Sequence, residues 1–143
     1  MELLIEIMYV AIYSALGIVL MVLGNFLIDL VVPCHFPTEI KKGNQAVGWI
    51  SAGSFIGIGI ILRTAIMSPA SQAIKESLLS GILNSVLYFV LGILFFSLGY
   101  VVVYFLNRRY NLNEEIGSGN NAAGIMVFGI FVGLALVISG VIC

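Results

Sequence analysis

The feature that most constrains this chain is a stretch that occurs twice. Glu39 to Gly59 reads EIKKGNQAVGWISAGSFIGIG, and Glu115 to Ala135 reads EIGSGNNAAGIMVFGIFVGLA. Glu, Ile, Gly, Asn, Ala, Gly, Gly, Phe and Gly recur in the same places, 76 residues apart. Self-similarity at a fixed offset points to one structural unit used twice. The likeness continues upstream at an offset of 75: Leu16-Gly17-Ile18 and Leu23-Gly24 match Leu91-Gly92-Ile93 and Leu98-Gly99, and Tyr13 falls on Tyr88. One extra residue in the second connecting segment accounts for the change of offset. The units are residues 1–66 and 77–142.

What each unit can be follows from charge. Of 143 residues, 61% are hydrophobic and only 9% charged, against roughly 25% charged in a soluble domain. So few charges cannot cover a water-facing surface, and the expectation is an all-α integral membrane protein. A spanning helix needs about 20 apolar residues. Four such runs fit: Leu3 to Val32, Asn44 to Met67, Leu79 to Leu106, and Asn120 to Ile142. Pro33 and Pro37 stop the first, and Pro69 closes the second. The segment from Ala70 to Ser80 reads as mildly amphipathic, with Lys75 and Glu76 exposed, and either lies at the interface or starts the third helix. Residues 33–43 and 107–119 read as loops. No soluble domain is left over, and MELLIEIM lacks the basic start of a cleaved leader. Each unit crosses the bilayer twice, so the two are parallel helix hairpins, not the inverted repeats of many transporters. Loops 33–43 and 107–119 carry Lys41, Lys42, Arg108 and Arg109, against Arg63 and Lys75 on the other face. The positive-inside bias then places these loops in the cytoplasm and both termini outside.

Small residues recur seven apart in every span: Gly17 and Gly24, Ala46 and Gly53, Gly92 and Gly99, Ala122 and Gly129. Gly57 and Gly133 extend the second and fourth into GxxxG. Small residues let helix backbones approach closely in lipid. These seams serve either packing within four helices or contact with further copies. Asn44 and Asn120 stand where helix N-caps belong, each offering a side-chain oxygen to an orphan N–H. Glu39 and Glu115 precede them as acids suited to a helix start.

Polar groups within the spans are few. Asn25 and Asp29, four apart on one face of the first span, form the candidate polar site, since an ionisable group at that depth is costly unless paired or wet. The competing reading pairs Asp29 with Lys41, Lys42 or Arg108 near the headgroups. In the second unit the same positions hold Tyr100 and Tyr104, so the halves differ chemically here. Glu6 and Arg63 are expected to pair at the outer face. His35 beside Cys34, with no third group, suits neither a metal centre nor a triad. Cys34 and Cys143 fall on opposite faces and cannot pair. No catalytic residue, metal site or cofactor is expected, and no basic run suggests nucleic acid.

Two tandem hairpins, each with E-I-x-x-G-N-x-A-x-G followed by glycines and a phenylalanine, resemble the YjfL-like bacterial inner-membrane family, known as domain of unknown function 350. The shared core is Gly43, Asn44 and Ala46 with Gly119, Asn120 and Ala122. The resemblance implies a small four-helix inner-membrane protein, often encoded near phage-shock-type stress proteins and ATP-grasp ligases. It supplies no catalytic residues. Two functional expectations follow. One is an oligomeric structural or regulatory component of an envelope or membrane stress system, whose loops meet a soluble cytoplasmic partner. The other is an oligomeric ion channel or small transporter with a polar ring at Asn25 and Asp29.

Overall fold

The structure, a computed structural model, describes residues 1–32, 34–72, 77–109 and 111–142, with residues 68–72 in backbone only. Pro33, Lys75, Glu76 and Cys143, on which parts of the sequence reading rest, lie outside the described residues. Six helices follow in order: α1 (Glu2–Val31), α2 (Phe36–Lys41), α3 (Gln45–Gln72), α4 (Leu78–Leu106), α5 (Leu112–Gly117) and α6 (Asn121–Ile142). Four are long and apolar enough to cross a membrane: α1, α3 as far as Met67, α4 and α6. There is no strand among the described residues.

Two features differ from the expectation. The loops are not featureless, for each contains a six-residue helix, α2 or α5. Pro69 does not close the third helix, which continues to Gln72. A proline this near a helix end removes one ladder bond in a turn with few carbonyls left to satisfy.

The spanning helices pack as two parallel pairs, each helix antiparallel to its partner from the other pair. Along α3 and α6, matching levels meet in sequence: Asn121 Nδ2 donates to Gln45 Oε1 at 2.7 Å, and Thr64 and Ser139 share a hydroxyl hydrogen bond. These two helices form the largest interface, ahead of α3 with α4 and α1 with α3. Within its spanning window α3 is 56% buried in the bundle, while α1 is 11% buried. So α3 is the axis, and α1 shows most of its surface to lipid. The bundle centre is filled by Ile58, Ile61, Phe96 and Phe131, with the two rings stacked at 4.9 Å. Tyr100 leans on Phe131 at 5.2 Å. Buried Ser54 donates to Asn25 Oδ1, and buried Ser85 to Gly81 O.

α2 and α5 close one end of the bundle. Phe36 in α2 and Leu112 and Ile116 in α5 are buried, and they cap the core beneath the turns.

Candidate functional site

The repeated motif builds a corner between a short and a long helix. Lys42 is the C-cap of α2, and Gly43 follows at φ +80°. Gly43 N donates to Ile40 O and Asn44 N to Glu39 O, both at 3.0 Å. That is a Schellman termination, which needs a residue in the left-handed region and so selects glycine. The second corner repeats it: Gly119 at φ +83°, Gly119 N to Ile116 O, and Asn120 N to Glu115 O. Glu39 and Glu115 therefore do not stand before a helix start, as their sequence position suggested. They lie inside α2 and α5. Each carboxylate holds the amide of the asparagine five residues on, at 3.1 Å for Glu39 and Asn44 and 2.6 Å for Glu115 and Asn120. The asparagine oxygen faces the long helix. Asn44 Oδ1 accepts from Val47 N, and Asn120 Oδ1 from Ala122 N.

The corners are not equivalent. Asn44 Nδ2 also donates to Ile116 O at 3.0 Å, which ties the first corner to the second. Lys42 Nζ pairs with Glu39 Oε1 at 3.2 Å, while Ser118, its counterpart, bonds Glu115 O. The Asn44 hydrogen bond, and after it Lys42, holds the Glu39 carboxyl below its ordinary value of 4.5. Between the corners lies a polar cleft of about 390 Å³ that includes Glu39, Lys42, Gln45 and Ser118.

Asp29 is not paired with Lys41, Lys42 or Arg108. Its Oδ1 accepts from Phe36 N at 2.7 Å, an orphan N–H in the first turn of α2. A backbone donor supplies the partner without bringing a second charge into lipid. Asn25 Oδ1 accepts from Ser54 Oγ at 3.0 Å. Both residues border a cavity of about 280 Å³ with Ser51, Phe36 and Phe55. In the other half Tyr104 stands in for Asp29, and its hydroxyl accepts from Asn113 Nδ2 in the first turn of α5 at 3.0 Å. The two halves thus anchor their short helices with different chemistry. Cys34, half-buried near this anchor, has its thiol pushed up to about 11 by burial and by the charges of Asp29 and Glu39. His35 is exposed, and its Nδ1 is within hydrogen-bond distance of Thr38 Oγ1 at 2.9 Å. Glu6 and Arg63 are both exposed, and the ion pair among the described residues is Lys42 with Glu39. Exposed charges gain little by pairing, so the absence of a Glu6–Arg63 bridge costs little. No cluster of three His, Cys, Asp or Glu side chains suited to a metal occurs among the described residues.

The glycines divide into two groups. A Cβ at Gly24 would meet Phe89 at 2.9 Å, at Gly53 the Phe128 backbone at 2.8 Å, and at Gly57 Phe96 at 2.9 Å. At Gly92 it would meet Ile61 at 2.5 Å, and at Gly99 Leu134 at 2.8 Å. At Gly17, Gly129 and Gly133 it would meet nothing within 4 Å. Gly124, which with Gly48 gives the fourth and second spans small residues on more than one side, makes the tightest contact with a backbone: a Cβ there would lie 2.6 Å from Ala46 Cα. Its signal was present as the last glycine of the repeated motif.

A family model, Domain of Unknown Function (DUF350), matches residues 2–142. The chain belongs to this family, and two relatives that it resembles are named as transmembrane proteins. It is 28% identical over 134 residues to a UPF0719 transmembrane protein of Aquifex aeolicus, covering 93% of this chain and 48% of that protein. It is 28% identical over 134 residues to the UPF0719 transmembrane protein YshE of Bacillus subtilis, covering 94% of this chain and 92% of that one. The chain thus spans about half the length of the first relative and nearly all of the second. No solved structure matches it.

Proposed function

We propose that this small membrane protein is a non-enzymatic structural or regulatory component that assembles with further copies of itself in the bacterial inner membrane. One observation carries the reading. On α3, Gly53 and Gly57 are covered by Phe128, Phe96 and the Phe131 carbonyl. The matching residues of α6, Gly129 and Gly133, are uncovered and exposed. They lie in a stripe with Ala122, Ile125, Leu136 and Gly140, all exposed. The same GxxxG thus seats a helix within the chain in one copy and is open to a helix from outside in the other. The corners, with Lys41, Lys42, Arg108 and Arg109, face the cytoplasm in this reading and offer the surface for a soluble partner of an envelope stress system. Both termini are then outside.

The test replaces Gly133 with Leu. Wild type is expected to migrate as an oligomer in lipid nanodiscs, and the variant as a smaller species with an unchanged melting temperature. A monomeric wild type, or a variant of unaltered size, overturns the proposal. The conduction reading draws less support, because Asn25 and Asp29 already hold Ser54 and the Phe36 N–H.

A further inference from the structure

Two buried polar atoms have no hydrogen-bond partner among the described residues, the Tyr100 hydroxyl and Asn113 Oδ1. Such groups are rare in folded proteins and each costs free energy unless something satisfies it. Tyr100 is only 2% exposed. Both residues line one cavity of about 200 Å³, together with Val31, Val101, Tyr104 and Phe105. Tyr104 accepts from Asn113 Nδ2 and still has its own hydrogen to donate. Whichever way the Asn113 amide is turned, one of its two polar atoms faces Tyr104 and the other is left over.

The depth of the cavity narrows the choice of ligand. With 29 residues, α4 is about 44 Å long, which matches a bilayer with its headgroups. Tyr100 lies six residues before Leu106, hence about 9 Å from the helix end. That is near the boundary of the hydrocarbon, where the glycerol backbones of lipids lie. No cation lines the cavity, so an uncharged head fits better than a phosphate. Water alone fits poorly: the volume has room for roughly six molecules, yet Val31, Val101 and Phe105 leave much of the wall apolar. A hydroxyl both donates and accepts, and so satisfies a phenol and either end of an amide.

We propose that the cavity walled by Tyr100, Tyr104 and Asn113 binds a glycerolipid with a free hydroxyl, of the diacylglycerol class. The hydroxyl sits between Tyr100 and Asn113, and an acyl chain leaves past Val101 and Phe105 into the bilayer. This inference is independent of the oligomer reading. It is tested with the full chain in phosphatidylcholine nanodiscs containing a diacylglycerol whose acyl chain carries a photoactivatable diazirine. Labelling is expected on the segment from Val101 to Phe105. Excess dioleoylglycerol is expected to suppress it, while the same lipid capped as a methyl ether is not. Tyr100→Phe is expected to reduce labelling about fivefold, the effect of one lost hydrogen bond, without lowering the melting temperature. Competition by the capped lipid as strong as by the free alcohol overturns the proposal, as does wild-type labelling of Tyr100→Phe. Should that variant fail to fold, the competition on the native chain decides alone.

Discussion

Asn44 and Asn120 occupy matching positions but carry different loads. Asn44 bonds Glu39, the Val47 N–H and Ile116 O, whereas Asn120 bonds Glu115 and the Ala122 N–H. Asn44 is also the less exposed of the two. Asn44→Ala is therefore expected to cost about 2 kcal/mol of unfolding free energy and Asn120→Ala about 1 kcal/mol. Reversible unfolding in detergent measures both, and an equal or reversed order would sink the assignment of Ile116 O as a working partner. At this scale sequence reasoning is uneven for a physical reason. An asparagine ahead of an apolar run announces a cap, because the cap acts within one turn. Asp29 announces only that it needs a partner. Its partner is the backbone of Phe36, and a backbone N–H has no residue type to recognise. The orphaned Tyr100 hydroxyl was equally hidden, since the lack of a partner depends on every neighbour at once.

At the scale of elements, the glycines supply the clearest contrast. A methyl at Gly124 would strike the Ala46 backbone, which cannot move aside as a flexible side chain does. Gly124→Ala is expected to destabilise the fold by about 1–3 kcal/mol, the usual cost of overpacking. Gly17→Ala meets nothing within 4 Å and is expected to be neutral or slightly stabilising, since alanine suits a helix better. Melting temperatures of the two variants against wild type check the pair, and equal effects would mean that α3 and α6 are not packed as described. The four spanning helices were legible because each is a long run without charge. The short helices were not. Six residues with one or two buried anchors, Phe36 in α2 and Leu112 with Ile116 in α5, hold too little periodicity to distinguish a helix from a loop.

For the whole molecule, the topology places both corners at one end of the bundle and both termini at the other. The modest excess of basic residues at the corner end sets the expected orientation. A reporter fused to the C-terminus is expected to be active only outside the cytoplasm, and cytoplasmic activity would invert the arrangement. The burial pattern has a further consequence for how the protein is made. α3 is the least apolar of the four spans and the most enclosed, and its largest partner is α6. On the ribosome α6 comes last. Between Met67 and Ile142 lie 75 residues of synthesis, roughly 4–15 s at ordinary elongation rates. Until α6 is made, Thr64 lacks the Ser139 hydroxyl, and Gly53 and Gly57 lack Phe128 and the Phe131 carbonyl that cover them in the finished bundle. The axis of the finished bundle is thus inserted long before its main contact exists. Membrane quality control has its chance to remove the nascent chain in that window, and mutations in α6 would be felt first as failure of α3.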